Sequence, residues 1–198
     1  MATSTTPSGS VRVTSRACGC PTAKLDALIA YLEGLSGRAD LRVLNDLLMR
    51  ANVTREDLES VLSFGEKGYK RNCITKSEWY ELVAICWKNG QRSPIHDHRG
   101  SSCAFRVVHG TGLETRFRFE EKVLRVAASN RMPEGYVCAA EDEDIHEIAN
   151  AEPTGRDLVT LHIYSPPLKR MNTYELESGE VREASECCGG GACVGEGE

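Results

Sequence analysis

The chain has 198 residues, 40% of them hydrophobic, which is enough for one ordinary domain with a buried core and residues left over for arms or tails. A formal net charge of -5 and the lack of a basic stripe argue against a nucleic-acid partner. No run is long and apolar enough to span a bilayer and the first twenty residues hold no apolar h-region, so the expectation is a cytoplasmic monomer acting on a small molecule, with no membrane partner.

Residues 1–20 are rich in Ser, Thr and Gly without apolar periodicity and read as a disordered arm. A single domain is expected over 21–180, with a helical segment at 21–66 and a β-barrel at 67–180, followed by a flexible Gly/Cys/Glu-rich tail at 181–198. In AKLDALIAYLEGLS (23–36), Leu25, Leu28, Ile29, Leu32 and Leu35 fall near helical spacing, with Gly37 as the expected cap. Residues 39–51 predict a second helix, and Thr54 with Asp57 has capping-box spacing for a short third. After Gly68 the texture becomes short β-rich runs at 79–87, 103–110, 113–119, 122–128, 136–140 and 158–165, separated by turn signals, which suggests a sandwich or closed barrel. The nine cysteines, at 18, 20, 73, 86, 103, 138, 187, 188 and 193, are odd in number and scattered, which fits reduced thiols better than a disulfide framework.

The stretch SPIHDHRGSSC (93–103) carries the chemistry. On an extended chain His96 and His98 share a face and Asp97 points away, so two imidazoles converge on one spot, a common start for a metal site. Counting Gly90, five residues, His96, one residue, His98, four residues, Cys103, six residues, Gly110 gives a pattern that resembles the first cupin motif, GxxxxxHxHxxxxExxxxxxG, with Cys103 in the glutamate position. Pro133-Glu-Gly135, followed by His146 and Asn150, resembles the second motif with a lengthened gap. The resemblance implies a mainly β fold, a double-sheet jelly-roll barrel preceded by the helical segment, with its ligands in the barrel mouth. Cysteine in place of the acidic ligand would leave three neutral histidines, His96, His98 and His146, so a bound dication keeps its charge and favours an anionic thiolate. A soft donor and a reaction with oxygen favour Fe(II) over Zn(II), which has no redox chemistry.

The run CWKNGQRSPIHDHRGSSC, with YKRN (69–72) and LHIYSPP (161–167), resembles the cysteine dioxygenase family over roughly residues 60–175. That resemblance implies iron-dependent oxidation of L-cysteine by O2 to cysteine sulfinate. It implies iron ligands His96, His98 and His146, a substrate carboxylate on Arg71, and Tyr69 nearby. On the strand of LHIYSPP, Thr160, His162 and Tyr164 share a face. The family has Ser, His and Tyr there, so Thr160 retains a hydroxyl that can orient His162 toward Tyr164, the acid or hydrogen-bond donor over the oxygen site. Cys103 stands where animal members join a cysteine sulfur to that tyrosine by a thioether. Blander readings stand beside these: Arg71 as a surface ion-pair partner, His162 as a core histidine able to exchange roles with His146, Cys103 as a small buried hydrophobe, and His109 as an exposed turn residue. The functional alternatives are a dioxygenase of another small thiol, such as 3-mercaptopropionate or mercaptosuccinate, and a non-catalytic metal-binding sensor.

Overall fold

The computed structural model describes residues 21–185 except 122 and 141–143. The expected arm, with Cys18 and Cys20, and the segment holding Cys187, Cys188 and Cys193 lie outside the described residues.

A 3-10 turn, Ala23–Leu25, leads into helix α1 (Asp26–Glu33), followed by α2 (Leu41–Ala51) and α3 (Arg55–Leu58). Helix α1 closes on Gly34 and not on the predicted Gly37, its amide reaching back to the carbonyls of Ala30 and Tyr31. Asp40 caps α2 through Arg42 N and Val43 N. The capping box of α3 forms as the spacing predicts: Asp57 N donates to Thr54 Oγ1, and Thr54 N donates to the Asp57 carboxylate.

Eleven strands follow among the described residues: β1 (Lys70–Lys76), β2 (Glu81–Trp87), β3 (Ile95–His96), β4 (Ser102–His109), β5 (Gly112–Glu120), β6 (Val123–Met132), β7 (Val137–Ala140), β8 (Ile145–Ala149), β9 (Leu158–Ser165), β10 (Arg170–Tyr174) and β11 (Val181–Ser185). They form two antiparallel sheets in the orders β1-β2-β9-β4-β7 and β11-β10-β3-β8-β5-β6, the double-sheet cupin arrangement with helices before it. Strand β11 corrects the expectation of a flexible tail from residue 181. Its residues pair with β10 from Arg170↔Ser185 to Tyr174↔Val181, and Ala184 is buried in the barrel core. The sequence VREAS hides this because its other side chains face solvent and only one small residue points inward.

The first sheet is covered on both faces, which explains the uninterrupted burial of β2 and β9. Leu82, Ala84 and Cys86 of β2 and Val159, Leu161 and Ile163 of β9 pack against Leu25, Leu28, Leu32, Leu44 and Leu48 of the helices. The alternate residues, Val83, Ile85 and Trp87 on β2 and Cys103, Phe105 and Val107 on β4, face the barrel interior. The same alternation aims Thr160, His162 and Tyr164 of β9 into the barrel. The motif glycine Gly110 has φ +79°, and a Cβ there would stand 2.4 Å from the Asp157 carbonyl oxygen, so the turn after β4 admits no side chain.

Candidate active site

The middle of the second sheet brings the histidines together. His96 on β3 stands directly opposite His146 on β8, and His98 follows in the turn after β3. The ring centroids of His96 and His146 are 4.8 Å apart and those of His98 and His146 4.9 Å; one nitrogen from each ring lies within 4.8 Å of the others. Asp97, between the two motif histidines, points away as expected. Its carboxylate accepts from Asn172 N at 2.9 Å, Asn172 Nδ2 at 2.7 Å and Tyr174 Oη at 2.8 Å, which ties the HDH turn to β10. Burial and that hydrogen bond push the Tyr174 phenol up to about 12, so it stays a donor.

The donor set fits a d-block dication. His96 Nδ1 donates to the Pro94 carbonyl at 3.0 Å, which leaves the lone pair on Nε2. His146 Nδ1 donates to Glu114 Oε1 at 3.0 Å, and its Nε2 is buried without a hydrogen-bond partner, as is His98 Nδ1. Burial, and after it repulsion from His146, pushes His96 down to about 3 and His98 well below the ordinary range, so both rings are neutral and able to ligate. Buried imidazole lone pairs with nothing to bond are costly unless an ion takes them.

Glu114 is the member that sequence reasoning missed. It lies on β5, is 1% exposed, and also accepts from Arg116 Nε at 3.1 Å. Burial alone would raise its carboxyl, but the His146 hydrogen bond and the charges of His146 and Arg116 outweigh it and hold the group below its ordinary value. A carboxylate therefore reaches the centre after all, one histidine removed from it. The available signal was an acid on the inward side of LETRFRF, two residues before an arginine.

A cleft of about 370 Å³ opens beside the histidines, lined by the three rings, Tyr69, Arg71, Trp87, His162, Tyr164, Met171 and neighbouring aliphatic residues. Arg71 is buried, and its guanidinium lies 5.0 Å from the centroid of the Tyr164 ring. Its Nη2 pairs with Glu81 Oε2 at 2.9 Å. Tyr69 stacks on Trp87 with centroids 4.5 Å apart.

On β9 a hydrogen-bonded chain runs inward. Trp87 Nε1 donates to Thr160 Oγ1 at 3.0 Å, Thr160 Oγ1 meets His162 Nε2 at 2.9 Å, and His162 Nδ1 meets Tyr164 Oη at 3.3 Å. The role of Trp87 in this chain was not visible in the sequence. Burial, and after it the charge of Arg71, drives His162 well below the ordinary range, so its ring is neutral. Cys103 faces Tyr164 across the β4–β9 ladder; burial pushes its thiol up, so it is not a thiolate. The motif residue Asn150 and His109, expected as an exposed turn residue, stand away from the cluster. Asn150 is fully buried as a clasp, its Nδ2 donating to the Trp87 and Arg156 carbonyls, and His109 is half-buried beside Glu134.

Known proteins resemble this chain over most of its length. The family model for cysteine dioxygenase type I matches residues 29–177. Cysteine dioxygenase type 1 of Rattus norvegicus is 29% identical over 167 residues, covering 74% of this chain and 83% of its own length, and that of Homo sapiens is 28% identical with the same coverage. Among solved structures, a Klebsiella pneumoniae protein with a double-stranded beta-helix domain superposes with a TM-score of 0.48 at 12% identity, covering 65% of this chain and 87% of its own. With three histidines meeting beside a polar cleft in a two-sheet barrel, and the family match running from within α1 through β10, the chain belongs to the cysteine dioxygenase type I family.

Proposed function

We propose that the protein is an Fe(II)-dependent dioxygenase that converts L-cysteine and O2 to cysteine sulfinate. The observation that carries this reading is the convergence in one cleft of three buried imidazoles, a buried arginine and the Thr160–His162–Tyr164 chain. His96, His98 and His146 would hold Fe(II), which supplies a Lewis-acidic, redox-active centre that lowers the thiol pKa and activates oxygen. Zinc would fit the same nitrogens but has no redox chemistry.

The remaining work falls to the chain. Arg71 takes the substrate carboxylate through its planar fork, and Tyr69, stacked on Trp87, walls the same end of the cleft. Ile85, Ile148 and Met171 exclude water from the reacting sulfur. With the Trp87 N–H on Thr160 Oγ1, the Thr160 hydroxyl is positioned to donate to His162 Nε2. His162 then carries its proton on Nδ1 and donates to Tyr164 Oη, which turns the phenol's own proton toward the cleft as the donor for the oxidised sulfur. Both oxygen atoms end on sulfur, so RSH and O2 give RSO2H in balance and no external reductant is consumed. The register of Cys103 against Tyr164 supports a thioether between the sulfur and the tyrosine ring, formed with loss of two hydrogen atoms to an oxidant such as O2. Cys86 and Cys138 are not in disulfides, which supports placing the protein in the reducing cytoplasm.

Oxygen uptake by anaerobically iron-reconstituted protein, with L-cysteine, 3-mercaptopropionate and mercaptosuccinate in parallel and mass spectrometry of the products, tests this. One O2 consumed per cysteine sulfinate is the expected result. Preference for another thiol overturns the substrate and keeps the metal centre. No uptake with iron bound leaves a metal-binding sensor.

A further inference from the structure

Behind the cleft lies an acid that the proposed chemistry does not use. Glu81 opens β2, next to Tyr164 in the β2–β9 register, and its Oε2 stands 2.9 Å from Arg71 Nη2. The two side chains are 5% and 4% exposed, so this is a buried ion pair in a poorly screened setting. Arg71 lines the cleft and Glu81 does not. The described lining contains no carboxylate and no second arginine or lysine.

We propose that Glu81 sets the affinity and selectivity of the pocket for carboxylates by pairing with Arg71 from behind; this rests on the reading of Arg71 as the carboxylate-binding group. An unpaired guanidinium presents a full positive charge, whereas one already paired presents a dipole whose field falls off faster with distance. A substrate carboxylate must therefore share the cation, and it is held by hydrogen-bond geometry more than by long-range attraction. A second carboxylate on the same ligand meets no further cation at that end and adds repulsion from Glu81. The pocket thus takes a small monocarboxylate thiol and discriminates against a dicarboxylate one.

The test is anaerobic calorimetric titration of the iron-loaded protein with L-cysteine, mercaptosuccinate and cysteamine, together with thermal melts with and without ligand. Glu81→Gln keeps the shape and removes the charge. L-Cysteine should bind about fivefold or more tightly to it, mercaptosuccinate should gain more than that, and cysteamine, which lacks a carboxylate, should be unchanged. The ligand-free variant should melt lower because Arg71 loses its buried counter-charge, and L-cysteine should raise its melting temperature more than it does in the wild type. Glu81→Asn, also neutral, should move in the same direction. Unchanged or weaker L-cysteine binding in both variants, an equal gain for cysteamine, or loss of the fold in both overturns the proposal while leaving Arg71's role intact. The Arg71 reading itself falls, and this one with it, when Arg71→Ala and the wild type bind L-cysteine equally.

Discussion

Glu114 and His146 are 32 residues apart in the chain and 3.0 Å apart in the barrel, and the acid's position behind the ring fixes which nitrogen faces His96 and His98. Glu114→Gln is expected to lower metal affinity about 10- to 100-fold, measured by competition with a chelating dye, because the amide is a weaker acceptor and leaves Arg116 without its buried counter-charge. For Arg71→Ala, the Michaelis constant for L-cysteine should rise about 10- to 100-fold relative to that for cysteamine, the worth of hydrogen bonds to a charged group. The ratio between the two substrates is the useful readout, since stranding Glu81 also destabilises the fold. Intact mass spectrometry after turnover should show the wild type lighter than its sequence mass by two hydrogen atoms and Cys103→Ala at its full mass. At this scale the sequence was legible where residues lie close together, as in His96-Asp-His98 and Thr160-Leu-His162-Ile-Tyr164. It was silent on Glu81, Glu114 and the Trp87 hydrogen bond to Thr160, whose partners come from other strands.

The helical segment illustrates how local chemistry fixes an element. Thr54 and Asp57 cap α3, and Lys24 Nζ reaches Asp57 Oδ2 at 2.6 Å, tying the first turn of the segment to the third helix. The Lys24 hydrogen bond first, and the Thr54 amide after it, pull the Asp57 carboxyl down to about 2 from an ordinary 3.8. Because the folded value is the lower one, the stabilisation is fully present above 3.8 and is lost as pH falls through about 2. Asp57→Asn should therefore flatten the decline in melting temperature across that window, followed by thermal melts at stepped acid pH. The strands were harder to read: β1, β8, β10 and β11 were not predicted as strands, because KRNCITK, RMNTY and VREAS are polar and IHEIA is short. Each owes its extended state to a backbone ladder with a better-defined neighbour.

For the molecule as a whole, the site depends on both sheets. The histidines come from the second sheet, whereas Arg71, Tyr164 and His162 come from the first. Strand β11 matters here, since it pairs with β10, and β10 in turn anchors Asp97. A chain ending at residue 180 should melt lower and lose oxygen uptake, while one ending at residue 185 should keep both, as judged by calorimetry and an oxygen electrode. The sequence by itself determined the double-histidine motif, the inward face of LHIYSPP, the capping box and the split into a helical segment and a β-barrel, because each is set by contacts or periodicity within about ten residues. Tertiary structure decided which acid supports His146, which acid holds Arg71, and that residues 181–185 belong to the barrel. Those choices depend on strand order and register, which bring distant residues together through backbone pairing that carries little side-chain signature.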